Sequence, residues 1–346
     1  MKIKDEIMNN TGVAVALLAA CSVATSARAQ SDGFDWVTIT DVGNDPYAAP
    51  EPWRYTSGRG SVDYEYRISR LEVTTEQWLP FVRLFWQDLN SIVPTHWGAY
   101  IDPPTQTWRL RPVADAGMLP VDGISWEHAA MYVNWLHNGR RSDVASTQSG
   151  VYDVSTFTTN PDFTFNHQIE PAPGAKYWIP SLDEWLKAAH YDPNRYGSGQ
   201  GGWWQYVNSS DSAPVPGLPG EGDTTAFVDL PASQVWDIPL GAYPHVQSPW
   251  GLLDLSGGTD ELISEDFYGA RSNILTDGTF AGYSRVSENL DDIIFFATRE
   301  PGDRTAGLRI AAAIPGAPTL GALVGASPFI TRRRSRSNES QLENSS

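Results

Sequence analysis

Apolar periodicity in this chain never runs far before glycine or proline interrupts it. That trait limits what it can fold into. Thirty glycines and 25 prolines punctuate 346 residues, and between them sit 14 Trp, 14 Tyr and 12 Phe. Bulky rings joined by turns predict a loop-rich α+β globule with short helices and small antiparallel sheets, not a helical bundle. Hydrophobic residues make up 41% and charged ones 19%, enough apolar matter for a core, which excludes disorder along the whole length. Between residues 30 and 313 no run reaches the roughly 18 apolar residues of a membrane helix. Asp plus Glu number 41 against 24 Lys plus Arg, a net charge of −17, so no nucleic-acid partner is expected. Cysteine occurs once, at Cys21, which excludes an internal disulfide, a multi-cysteine zinc site and a cysteine-pair redox centre.

Both ends read as addresses. Lys2 and Lys4 precede an apolar stretch from Val13 to Ala20, and Ala27-Arg28-Ala29 fits a small-x-small cleavage site. Residues 1–29 are therefore expected to be a signal peptide cleaved after Ala29. Leu18-Ala19-Ala20-Cys21 also resembles a lipobox, so lipidation of Cys21 stays open. At the other end, Pro315 and Pro318 precede the apolar Thr319 to Ile330 and then Arg332, Arg333, Arg334 and Arg336. Twelve residues rise only about 18 Å as helix, short of a hydrocarbon core of about 30 Å. Residues 314–346 resemble the sorting tail of PEP-CTERM proteins. That implies export to the outside or outer envelope of a Gram-negative-type bacterium. Export and sorting machinery are then partners, and membrane contact is confined to the signal and sorting segments. Residues 1–29 carry net +1 and residues 332–346 net +2, so the body between them carries −20. Such a body favours solubility and divalent cations.

Within the body, Asp35 to Val42 reads as a strand, and Val62, Tyr64, Tyr66 and Ile68 alternate with charged residues as a second. Thr74 with Gln77 forms a capping box before a helix over Trp78 to Trp86, which contains Pro80. Ser125-Trp126-Glu127 opens another helix that ends at Asn138-Gly139. Ser181-Leu182-Asp183-Glu184 caps a third, through about His190. Residues 193–223 hold seven glycines and four prolines with no periodicity, and a loop of that length is usually functional or mobile.

Five segments, in order, resemble the formylglycine-generating enzyme or sulfatase-modifying-factor family. Val62 to Ile68 leading to Glu72-Val73-Thr74 is similar to its opening strand and helix start. Leu119-Pro120-Val121 through Ser125-Trp126 and Asn134-Trp135-Leu136 is the second. Trp178 to Trp185 is the third, Ser248 to Gly257 the fourth and Gly307-Leu308-Arg309-Ile310-Ala311 the last. They span 62–311, so residues 30–313 are expected to be one domain. The resemblance implies a C-type-lectin-like fold, often with bound Ca²⁺, shared by formylglycine-generating enzymes, pyoverdine-maturation enzymes and surface binding proteins.

Departures from the family pattern shape the functional expectation. No cysteine follows position 21, whereas formylglycine generation needs thiolates that bind copper, so that reaction is rejected and no copper is expected. The stretch Leu275 to Phe280 resembles the family's late motif, with Thr276 and Asp277 substituted. In the family's calcium motif, Gly257-Gly258-Thr259-Asp260-Glu261-Leu262 keeps Glu261 but lacks the Asn oxygen and both tryptophans. Glu261, Asp260 and Asp254 are the candidate Ca²⁺ ligands, with a solvated acidic turn as the alternative. His190-Tyr191-Asp192 has the H-x-D spacing that begins a two-histidine, one-carboxylate iron site, but nothing marks the second histidine. Trp203, Trp204 and Tyr206 are candidate ligand-binding rings for a sugar or peptide face, with core packing as the alternative. The expected protein is an exported binding module for an extracellular glycan, peptide or surface protein. A cysteine-free oxidoreductase of the pyoverdine-maturation type and a structural matrix component are the rivals.

Overall fold

Three side-chain caps start the three main helices. The computed structural model describes residues 32–51, 56–89, 92–158, 160–161, 166–225, 237–264, 290 and 306–316, and the backbone alone at Asp260 and in short strands within 266–298. Chain contacts divide the protein into Met1–Gly33 and Phe34–Ser346, and every element below belongs to the second. The proposed signal peptide, Cys21, most of the proposed sorting tail and the stretch from Asp277 to Arg285 lie outside the described residues.

Helix α1 (Thr75–Phe85) begins with a reciprocal box in which the Thr74 hydroxyl accepts from Gln77 N and Gln77 Oε1 accepts from Thr74 N at 2.9 Å. It runs on past Pro80 to Phe85. Helix α2 (Trp126–His137) starts where Ser125 Oγ accepts from His128 N, and it leaves through Asn138. A single turn, α3, covers Ala145–Gln148. Helix α4 (Leu182–His190) has a second reciprocal box, with Glu184 Oε2 accepting from Ser181 N at 2.7 Å and Ser181 Oγ from Glu184 N at 3.2 Å. Each box satisfies amide donors that the first helical turn leaves open.

The strands are short. In chain order they are β1 (Trp36–Ile39), β2 (Tyr66–Ser69), β3 (Ala99–Asp102), β4 (Thr107–Leu110), β5 (Tyr177–Trp178), β6 (Tyr191–Asp192) and β7 (Gly202–Trp203). Then come β8 (Asp260–Ile263), β9 (Asp266–Phe267), β10 (Ala270–Arg271), β11 (Asn273–Thr276), β12 (Phe295–Thr298), β13 (Ala306–Gly307) and β14 (Ala311–Ala312). One sheet has the order β1-β2-β14-β5 and another β12-β11-β8-β13, with β13 parallel to β8. Pairs β3–β4, β6–β7 and β9–β10 are small antiparallel ribbons. Ala311 stands between Ile68 and Trp178, so early, middle and late chain meet in one sheet. The architecture is α+β and loop-rich.

The expected strand from Val62 shortens to β2. Asn44 Oδ1 accepts from Val62 N, and Val62 O accepts from Gly43 N at 2.8 Å, so a loop takes the hydrogen bonds a strand partner would have used. Residues 193–223 are folded into turns and the β6–β7 ribbon.

Rings fill the space between α1 and α2. Trp78 lies 4.5 Å from Tyr132, Phe81 5.4 Å from Tyr132 and 5.6 Å from Trp135, centroid to centroid. Trp78, Trp126, Trp135 and Trp185 are among the largest fully buried side chains. Such pairs add about 0.5–1.5 kcal/mol each beyond the area they bury. Among the described residues no helix is long and apolar enough to cross a membrane.

The two roles of the α4 cap separate by mutation. Ser181→Ala is expected to lower stability by about 1 kcal/mol in urea unfolding. Glu184→Ala removes the acceptor for Tyr64 Oη, Trp178 Nε1 and Ser181 N together, and is expected to cost several times more. Equal losses would mean that the carboxylate acts only as a cap.

Candidate binding cleft

Helix α4 sends polar side chains in several directions, and each anchors a different segment. Asp183 accepts from Gly60 N at 2.6 Å and from Arg59 Nε at 2.9 Å. Glu184, fully enclosed, accepts from Trp178 Nε1 and Tyr64 Oη, both at 2.9 Å. Trp185 Nε1 donates to Glu261 Oε2 at 2.6 Å. Lys187 Nζ donates to the Asp41 carbonyl at 2.8 Å, and burial brings its pKa down to about 8. His190 Nδ1 lies 3.1 Å from the Trp204 carbonyl, and burial pulls its pKa down to about 4, so it is neutral at physiological pH.

A buried charge cluster lies behind the helix. Arg309 is 0% exposed and Glu261 1%. Arg309 Nη2 donates to Glu261 Oε1 at 2.8 Å and its Nε bridges both carboxylate oxygens at 3.0 and 3.1 Å. The rest of the guanidinium donates to the carbonyls of Ser69, Arg70 and Leu253. Glu72 is 2% exposed, and neither of its carboxyl oxygens has a hydrogen-bond partner among the described residues. Burial, reinforced by the nearby Glu261, pushes the Glu72 carboxyl well above the usual range; Arg309 offsets only part of this. Burial also raises Asp254 to about 6, although its Oδ2 accepts from Gly241 N at 2.6 Å.

These contacts bear on the expected calcium ligands. Glu261 is committed to Arg309 and Trp185, and Asp254 accepts from Gly241; of Asp260 only the backbone is described. Among the described residues no three His, Cys, Asp or Glu side chains are grouped to hold a metal ion. The described side chains do not assemble the cage of about six to eight oxygens that calcium takes. His190 faces the Trp204 carbonyl, while Asp192 accepts from Asn194 N and Trp204 Nε1.

In front of α4 a cleft of about 730 Å³ opens between residues 41–50 and the β6–β7 ribbon. Asp41, Asp45, Tyr47, Tyr191, Arg195, Tyr196, Trp203, Gln205 and Asp211 line it, together with backbone at Gly199, Gly201 and Gly202. Both walls are fastened. Asp41 has φ +60°, an uncommon conformation for a residue with a side chain, and is held there by Lys187 on its carbonyl and the Tyr191 hydroxyl on its carboxylate. Trp203 Nε1 donates to the Asp45 carbonyl at 3.2 Å, and the ring stands 5.8 Å from Tyr47 and 5.2 Å from Tyr191. Its far edge fits against Gly60, where a Cβ would stand 2.2 Å from the indole. Gly202 likewise leaves room for Tyr196, whose ring a Cβ there would meet at 2.5 Å. Asn194 folds the ribbon tip by accepting from Gly199 N at 2.9 Å, and Tyr196 there is 66% exposed.

Of the three expected rings, Trp203 lines the cleft but is only 8% exposed. Trp204 sits beside it under the Arg195 guanidinium, 4.3 Å from the ring centroid. Tyr206 is half-buried, pairs with Ser210, and does not line the cleft. Sequence reasoning missed Asp41, Asp45, Tyr47, Tyr191, Tyr196 and Gln205. The signal for Tyr196 was its place between Asn194 and Gly197, which marks a tight turn presenting one ring.

A family model, the sulfatase-modifying factor enzyme 1-like domain, matches residues 57–312. The chain belongs to that family, and its loop-rich α+β architecture is consistent with membership. Among solved structures it is similar to the crystal structure of CarF, at 18% identity over 81% of this chain and 98% of that one, with TM-score 0.47. It is similar also to Treponema denticola variable protein 1, at 16% identity over 81% and 95%, with TM-score 0.44. PvdO from Pseudomonas aeruginosa matches at 14% identity over 81% and 92%, with TM-score 0.38. A comparison with curated proteins found no match.

Two predictions concern the charge cluster. Arg309→Ala leaves Glu261 buried without its counter-ion and is expected to cost about 3–5 kcal/mol in denaturant unfolding. A loss below about 1 kcal/mol would contradict the geometry. For Glu72, the raised folded pKa means that the fold keeps a proton the unfolded chain releases. Its contribution to stability is therefore full below the unfolded pKa and declines as pH rises toward the folded one. Glu72→Gln cannot ionise, so its melting temperature is expected to rise relative to wild type as pH goes from about 4 to 7. A difference independent of pH would refute this.

Proposed function

We propose that this chain is an exported binding module of the sulfatase-modifying-factor family that takes an oligosaccharide in the cleft between residues 41–50 and the β6–β7 ribbon. The observation that carries the reading is the cleft's lining. Tyr196, 66% exposed, stands with the polar groups of Asp41, Asp45, Gln205 and Asp211, backed by the buried rings of Tyr47, Tyr191 and Trp203. Aromatic faces accept the C–H side of a sugar ring, while carboxylates and amides bind its hydroxyls. A few polar groups placed on an aromatic wall are what a small-ligand site requires. Preorganisation supports it too. Gly60, Asp183, Lys187 and Tyr191 hold the walls before any ligand arrives, so little ordering cost remains on binding. The lack of cysteine after position 21 argues against the thiol chemistry of formylglycine generation.

A panel of neutral, acidic and amino oligosaccharides, titrated by calorimetry with and without added Ca²⁺, tests the reading. At least one class should bind. Tyr196→Ala should weaken that binding about tenfold, or about 1.4 kcal/mol. Tyr100→Ala, on β3 outside the cleft, should leave it unchanged. Binding that ignores Tyr196 and follows Tyr100 would place the ligand elsewhere, and no binding across the panel would end the proposal.

A further inference from the structure

Tyr196 is the most exposed ring of the cleft, yet it is not left to its own rotamers. The guanidinium carbon of Arg195 stands over it, 5.1 Å from the ring centroid, and covers one face. The same carbon lies 4.3 Å over the Trp204 ring. Arg195 has little freedom. Its side chain is 12% exposed, and its Nη2 donates to Asp211 Oδ2 at 2.5 Å. Asp211 is fixed in turn, because its Oδ1 accepts from Gln205 N at 3.3 Å. Trp204 is held by ring and by backbone. Its Nε1 donates to Asp192 Oδ2 at 3.2 Å, and its amide donates to the His190 carbonyl at 2.9 Å. Gly202 leaves the space, since a Cβ there would meet the Tyr196 ring at 2.5 Å and Arg195 Cδ at 3.0 Å. The support therefore runs from the end of α4 through Trp204 and Arg195 to Tyr196. Arg195 and Tyr196 line the cleft, and Trp204 does not.

An exposed tyrosine on a turn samples several rotamers, and a ligand that stacks on it must order it at a cost in affinity. A planar guanidinium over a ring face removes that freedom, because it gains from the ring quadrupole and stacks on the ring. We infer that Trp204 and Arg195 are positioning residues for ligand binding, which hold Tyr196 with one face covered and leave the other face for the sugar. Trp204 then acts on the sugar without touching it. This rests on the oligosaccharide reading above and adds how the site is set: the sugar stacks on one face of a ring that is ordered before it arrives.

The test titrates neutral, acidic and amino hexasaccharides into the full chain by calorimetry and carries the tightest one through a mutant cycle. Trp204→Leu and Arg195→Met should each weaken it about fivefold, the loss expected when one side chain must be ordered on binding. In a Tyr196→Ala background neither change should weaken it further, because all three act through one ring. Arg140→Met removes a cation over Trp135, outside the cleft, and should leave affinity unchanged. In the wild-type complex the sugar's C–H proton resonances should shift upfield under the Tyr196 ring. They should move back toward their free positions in both Trp204→Leu and Arg195→Met. Wild-type affinity in those two variants would overturn the inference and leave the oligosaccharide reading in place. Losses that add to that of Tyr196→Ala would overturn it too, since these residues would then act on the sugar by another route. Binding by no hexasaccharide would remove the inference together with the reading on which it rests.

Discussion

One buried guanidinium joins the parts of this domain that lie farthest apart in sequence. Arg309 reaches the carbonyls of Ser69 and Arg70 at the end of β2, the carbonyl of Leu253, and the carboxylate of Glu261 on β8. Glu261 in turn receives the Trp185 indole of α4. Taking two charges out of water is expensive, and the arrangement is tolerated because the hydrogen-bonding groups of the pair are satisfied. The cluster specifies which segments meet. An apolar group of similar size could fill the space, but it would not require those carbonyls to converge.

Helix α4 carries that constraint forward to the surface. In nine residues it holds an acceptor for Gly60, a carboxylate for Tyr64 and Trp178, an indole for the charge cluster and an ammonium for the Asp41 carbonyl. The cleft is the outward side of this arrangement. Its walls come from residues 41–50 and 191–205, and each wall has a bond to α4 or to the tyrosine just after it. Gly60 completes the link, because its amide is fixed by Asp183 and its missing side chain seats Trp203. The sugar-binding reading thus depends on a frame built from polar contacts within a small region.

Local features were legible in the sequence, and long-range ones were not. Thr74 with Gln77, Ser125, and Ser181 with Glu184 mark helix starts because capping involves residues only three apart. The alternation from Val62 to Ile68 overstated a strand, since nothing nearby announces that the Asn44 side chain claims Val62. Glu261 drew attention as a carboxylate in a calcium-like motif, and its partner Arg309 read only as part of the last family-like segment; that the two pair is a property of the folded chain. Trp203 illustrates the same limit. Beside Trp204 in a glycine-rich stretch it read as one of a set of loop rings. A notch at Gly60, remote in sequence, makes it a wall. The family resemblance was readable because its five segments are the ones that build this frame: β2, the two capped helix starts, the loop at Leu253 and the link between β13 and β14 that bears Arg309.

The central claim is that ligand and cleft coincide on a preformed frame. Hydrogen exchange read by mass spectrometry, with and without saturating oligosaccharide, tests it most directly. Amides in 41–50 and 192–205 are expected to slow on binding, while those of β3 and β4 and of the α1–α2 interface keep their rates. Protection spread over the whole domain, or confined to segments outside the cleft, would contradict the account.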